Sequence, residues 1–341
     1  QMNVPHLNLA NPGKSAESHP EKPPGTFVKD AGGETNAGGE SKTTEPLKKK
    51  RNREECKPCV HNLWTHFPKD PDCEICQQCK TDRAQCRAKR AKHGAPDNLP
   101  IPVAFADAIT ADHAILNEDD ESREYDQVVC VMQDRFSQWL QAYAASTKNA
   151  VDTKMAIKQF LGPQTKAKHA YTDNSKELQK AFEELEIPHD TSTSHRPQTN
   201  GVAERAVRRV KEGTSCTIFQ SGLVDEWWPE AMACYCFLRN IHDVLACGNT
   251  AWKKRFGTNF TGPSIPFGAH IDYKPITEKD KKRLHKFGGK LLPGIFMGYE
   301  QYVGGTWSGD LLLLDEEEIQ EAETLGDVYI NSFTAQEVYV K

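Results

Sequence analysis

Asp107, Asp173 and Glu204 are three acids of this chain whose surroundings suit metal chemistry. Hard divalent cations take oxygen ligands, and phosphoryl transfer by two metals needs carboxylates that ions about 3.5–4 Å apart can share. Asp107 closes an apolar run at 103–106, Asp173 follows another at 167–171, and Glu204 lies on a helical stretch. Acids at strand ends and on a facing helix can converge on one such site. A second group is softer. His61-x4-His66-x6-Cys73-x2-Cys76 offers two imidazoles and two thiolates, and Cys56-x2-Cys59 with Cys73-x2-Cys76 offers four thiolates. Both sets have spacings that suit zinc, and spacing alone leaves both open.

These side chains need elements to hold them. Apolar and β-branched runs predict strands at 103–106, 125–132, 137–145 and 167–171, with a brief one at 187–189. Helical spacing predicts a helix at 151–161, stopped by Gly162-Pro163, and another at 175–185 capped by Ser175. Three strands, helix, strand, helix, strand and then helices make a mixed α/β domain. The helix that starts near Asn200 puts Val202, Ala203, Ala206, Val207 and Val210 on one side. Glu204 falls on the other, with Arg205 beside it, Arg208 one turn on and Lys211 two turns on. A largely apolar helix follows at 227–241. Strands at 291–299 and 306–315, joined by Gly304-Gly305, suggest a small β module. The reading is a disordered tail at 1–55, a Cys/His module at 56–93, an α/β core at 98–258 and a β module with an acidic tail at 259–341.

Composition agrees with that division. Hydrophobic residues make up 37% of 341, and the first 55 residues hold few of them, so a packed core is not expected there. No run of about 18 apolar residues occurs, so no membrane partner is expected, and residues 1–20 lack the apolar stretch of a secretion signal. The net charge of −5 argues against nucleic acid until its distribution is read. Residues 310–341 carry nine acids and one Lys, which leaves 42 bases against 39 acids before them. Those bases cluster at 48–53, 80–92, 205–211 and 279–290, and such clusters can contact phosphate on a near-neutral body. Six of the eleven Cys lie between Cys56 and Cys86, which suggests metal; the other five sit in apolar segments and read as core thiols.

Tyr171-Thr172-Asp173-Asn174 and the run from His195-Arg196-Pro197-Gln198-Thr199-Asn200 to Gly201-Val202-Ala203-Glu204-Arg205 resemble the integrase core of retroviruses and copia-type retrotransposons. Trp227-Trp228-Pro229-Glu230-Ala231 resembles the helix after that core. Phe287-Gly288-Gly289 through Gly294-Ile295-Phe296-Met297-Gly298-Tyr299 resembles the β module that follows in copia-type polyproteins. The resemblance covers about residues 56–315. It implies an RNase H-like fold, with a small N-terminal zinc module and a small C-terminal β module, and a D, D, E triad. Asp173 is then the second acid, Glu204 the third and Asp107 the first. Two departures stand out. Thirty residues separate Asp173 from Glu204, fewer than is usual in the family, and the Gly-Pro often found after the first Asp is absent, so Asp112 is a rival to Asp107. In the N-terminal module the resemblance favours His61, His66, Cys73 and Cys76 as zinc ligands over the set with Cys56 and Cys59.

The function so implied is trimming of element DNA ends and joining of their 3′-hydroxyls to host DNA, with Mg²⁺ or Mn²⁺ on the three acids and Zn²⁺ on the His/Cys set. Arg205, Arg208 and Lys211 would hold DNA backbone, with Gln198 and Asn200 in a loop that closes over it. The resemblance also implies homo-multimers, a place in the nucleus after a cytoplasmic particle stage, and origin as a piece of a polyprotein. Rival readings are a relic that binds nucleic acid without chemistry, a nuclease of the same fold that cuts without joining, and a zinc-based RNA-binding module.

Overall fold

The structure, a computed structural model, describes residues 61–80, 101–192 and 201–341. The expected tail, Cys56, Cys59, all of 81–93, His195, Gln198 and Asn200 lie outside the described residues. Contacts gather Val60–Lys341 into one unit. Its first helix, α1 (Glu74–Cys79), is short and follows the loop that carries His61, His66 and Cys73.

A meander of β1 (Ile109–Ile115), β2 (Val128–Asp134) and β3 (Leu140–Ala145) opens the central sheet, and all three strands pair antiparallel. Next come α2 (Ala150–Leu161), β4 (Ala170–Thr172), α3 (Lys176–Glu184) and β5 (His189–Thr191). Both later strands join parallel, β4 beside β1 and β5 beside β4, giving the order β3-β2-β1-β4-β5. This mixed five-stranded sheet flanked by helices is the RNase H-like arrangement. All of β2 is buried, as a strand covered on both faces must be. The Asn149 side chain caps α2 by accepting from Asp152 N, and Gly162, at φ 88°, ends it where a side chain would be strained.

The first strand differs from expectation. It begins at Ile109, and the apolar residues at 103–106 belong to an entry turn in which Val103 is 74% exposed. Asp107 therefore precedes the first strand instead of following it.

Two long helices close the core. α4 (Gly201–Ser221) packs on β1 and β2, and α5 (Trp228–His242) packs on α4 and β3. Ala203, Ala206 and Val210 are buried along α4, the face that helical periodicity predicts. Gly213 lets the two helices approach: a methyl group there would meet the Tyr235 ring at 2.0 Å. Beyond α6 (Ala251–Phe256), the remaining elements are β6 (His270–Tyr273), α7 (Glu278–Lys282), β7 (Leu292–Gln301), β8 (Trp307–Asp315), α8 (Glu316–Glu321), β9 (Asn331–Thr334) and β10 (Val338–Val340). Their strands form a second sheet, ordered β10-β6-β7-β8-β9. It shares a core with the first: Phe237 on α5 stacks on Tyr299 of β7 at 4.2 Å.

Gly213→Ala is expected to destabilise by about 1–3 kcal/mol, the usual cost of overpacking a rigid contact. Thermal unfolding checks it, and an unchanged Tm would show that α4 and α5 can separate freely.

Candidate active site and metal centre

Strand register determines which acids meet. The parallel pairing of β1 with β4 sets Ile109 opposite Ala170. Three residues further along each chain stand Asp112, within β1, and Asp173, just past the end of β4, close enough for the Asp173 charge to act on Asp112. Glu204 lies in the first turn of α4, the helix that crosses β1 and β2. The three charges act on one another. Burial, then repulsion by Asp173 and more weakly by Glu204, pushes the Asp112 carboxyl up to about 6, although it accepts the His113 N–H. A half-buried acid raised by burial and by two neighbouring acids is a site short of positive charge, with hard oxygen donors of the kind that hold Mg²⁺ or Mn²⁺.

Asp107 is elsewhere. One of its oxygens accepts the Val103 and Ala104 N–H groups at 2.9 and 2.8 Å, and the other pairs with Lys168 at 2.6 Å. Lys168 and those two amides hold its carboxyl down at about 2. It stands five residues before Asp112, at the far end of β1. The expected first ligand is thus a turn-closing residue, and its rival Asp112 is the one beside Asp173.

Arg205, Arg208 and Lys211 are exposed along the Glu204 side of α4, and Arg208 donates to Glu212 at 2.6 Å. Sequence reasoning missed Lys148. It lies in the loop after β3, pairs with Glu177 at 3.5 Å, and its charge reaches Asp112 and His113. Neither spacing nor motif marks it; only the fold brings it there.

The His/Cys group is assembled. His61, His66, Cys73 and Cys76 bring their ligand atoms within 4.8 Å of one another, the only His/Cys/Asp/Glu set gathered this tightly among the described residues. The imidazole tautomers follow from their partners. His61 Nδ1 donates to the Pro68 carbonyl at 2.8 Å, which leaves Nε2 buried and unpaired. His66 Nε2 donates to Gln220 Oε1 at 3.1 Å, which leaves Nδ1 facing Cys73 Sγ at 3.6 Å. Each ring is thereby aimed by a hydrogen bond on its other nitrogen, as metal-bound His usually is. Two nitrogens and two sulfurs suit a tetrahedral ion. The module rests on the core: Thr65 Oγ1 donates to Asp243 at 2.7 Å, Trp64 stacks on His242 at 5.6 Å, and Gln220 belongs to α4.

No family model matches the chain. Over 173 residues it is 27% identical to a retrovirus-related Pol polyprotein from transposon RE1 of Arabidopsis thaliana, a match that takes in 49% of this chain and 12% of that one. The chain is thus similar to part of a retrotransposon polyprotein. It spans about an eighth of the polyprotein that it matches. Solved structures similar to the chain include the HTLV-2 integrase catalytic core domain in complex with magnesium, with 19% identity and a TM-score of 0.36 over 45% of this chain and 98% of that one. The catalytic core domain of BIV integrase gives 18% and 0.35 over 45% and 95%. A chain of the simian T-cell lymphotropic virus intasome in complex with PP2A regulatory subunit B56 gamma gives 15% and 0.37 over 70% and 83%.

The two aspartates should respond oppositely to neutralisation in the metal-free protein. Asp112, raised in the folded state, opposes folding as pH climbs from its unfolded value of 3.8 through about 6. Asp112→Asn is therefore expected to stabilise by on the order of 1 kcal/mol at pH 7.5, after screening, and not at pH 3.5. Asp107, depressed to about 2, contributes stability that is present above 3.8 and lost as pH falls through 2. Asp107→Asn should lower Tm at pH 7.5. Melting curves of both variants at two pH values decide it; equal and parallel shifts would contradict the assignment.

Proposed function

We propose that this chain is an integrase that trims the 3′ ends of element DNA and joins them to host DNA, with Asp112, Asp173 and Glu204 as its metal-holding acids. The observation that carries the reading is the β1–β4 register that sets Asp112 beside Asp173 under the helix bearing Glu204. Bound Mg²⁺ or Mn²⁺ supplies the Lewis acidity that in-line attack on a phosphodiester needs. Asp112 sits mid-strand and Asp173 at a strand end, so both are held with little freedom. Glu204 rides on a helix whose preceding residues include Gln198 and Asn200, which we assign to DNA contact. Arg205, Arg208 and Lys211 extend the same helix face and serve the phosphate backbone, Arg208 exchanging Glu212 for phosphate as DNA arrives.

His61, His66, Cys73 and Cys76 are assigned to Zn²⁺, which would supply most of the folding energy of so short a segment. The protein is proposed to act as a homo-multimer, because two DNA ends must be joined together, and in the nucleus. The catalytically decayed alternative has less support, since a relic has no reason to keep Asp112 across from Asp173.

A branched DNA resembling the joined product, with Mn²⁺ or Mg²⁺, avoids the need for a known end sequence. Residues 1–341 are expected to give strands longer than the input. Asp112→Asn, Asp173→Asn and Glu204→Gln should each lose joining by on the order of 100-fold or more, the scale for removing one charge-stabilising group at a reacting centre. Asp107→Asn should keep it. Shorter strands alone would indicate a nuclease, and loss on Asp107→Asn with retention on Asp112→Asn would reverse the assignment. Metal analysis should find one Zn²⁺ per chain, lost on Cys76→Ser, with a lower Tm after chelation; full zinc in that variant would overturn the ligand set.

A further inference from the structure

Lys148 occupies a position that the three acids do not explain. It stands between Thr147 and Asn149, whose side chains hydrogen-bond each other at 2.8 Å, and Asn149 also caps α2. Its backbone is thus fixed at the rim of the sheet where β1, β3 and β4 all end. From there its ammonium reaches Glu177, in the first turn of α3 and four residues after Asp173. Glu177 has another partner, since Ser175 Oγ donates to the same oxygen at 2.6 Å. The carboxylate is therefore anchored without Lys148, whereas among the described residues no other hydrogen bond or ion pair holds the Lys148 ammonium. The pair is also weak by placement: its side chains are 29% and 34% exposed, and partly exposed ion pairs contribute little and yield to competing ions. The charge of Lys148 also reaches Asp112 and His113 on β1, the strand that carries one of the proposed metal-holding acids.

We infer that Lys148 binds a DNA phosphate close to the reacting one, leaving Glu177 to do so, and positions the strand on the side of the site opposite α4. This rests on the proposed function above. The ligand is a phosphodiester, and the group it displaces is already held in reserve by Ser175. Lys148 is a positioning residue: it orders the strand without touching the atoms that react.

The test compares three variants of the full chain by fluorescence anisotropy with the labelled branched DNA in Ca²⁺, across a salt series, together with joining rates in Mn²⁺. Lys148→Ala should weaken DNA binding several-fold and reduce the slope of log affinity against log salt by about 1. In the joining assay it should raise KM for DNA more than it lowers kcat. Lys148→Arg should restore most of the binding. Glu177→Gln frees the ammonium and should leave binding equal or tighter. If Lys148 only braced α3 through Glu177, then Lys148→Ala and Glu177→Gln would move together and the salt slope would not change; that result overturns the assignment. If the wild-type chain binds no DNA, the proposed function falls and this inference with it. If wild type binds and the Lys148→Ala slope is unchanged, only this inference falls.

Discussion

Carboxylates placed side by side repel each other, and the energy that keeps them together has to come from the rest of the fold. Asp112 and Asp173 are neighbours because β1 and β4 run parallel in a fixed register, and a slip of one residue would turn one of them to the other face. The register is in turn held by what surrounds it. β2 and β3 extend β1 into a buried meander, α2 and α3 cover one face, and α4 delivers Glu204 from the other. The Asp112 carboxyl is raised first by burial and then by the charges of Asp173 and Glu204, both of which a bound cation would offset.

Helix α4 carries that burden at both ends. Its first turn holds Glu204, and Gln220 near its last turn aims His66 within the candidate zinc centre. At 1.5 Å per residue these points are about 24 Å apart on one rigid rod. Gly213 lies between them and seats the rod against Tyr235 of α5, which itself stacks through Phe237 onto the second sheet. The candidate zinc centre at one end and the acids at the other therefore belong to a single packed assembly.

Much of this was legible in the sequence. The apolar face of α4 and the Asp173 turn follow from periodicity and local pattern, while the preference for the His/Cys set came from the resemblance, and the structure brings that set together. The first strand was not legible. Ile-Thr-Ala-Asp-His-Ala-Ile places an acid and an imidazole mid-strand, where strand propensity is poor, while the better-looking apolar run at 103–106 is a turn that exposes Val103 and buries Ala106. Local rules failed where an acid sits inside a strand, and so the expectation fell on Asp107 and not on Asp112, the acid we propose in its place. Lys148 and the short strands β6, β9 and β10 escaped for another reason, since only non-local pairing creates their positions.

The measurement that bears most directly on the central claim is the location of the divalent cation. Crystals soaked in Mn²⁺ and measured at an anomalous wavelength would show it without reference to activity. The account expects anomalous density bound to Asp112 and Asp173, with Glu204 drawn toward it. Density at Asp107 in place of Lys168, with none between Asp112 and Asp173, would contradict it.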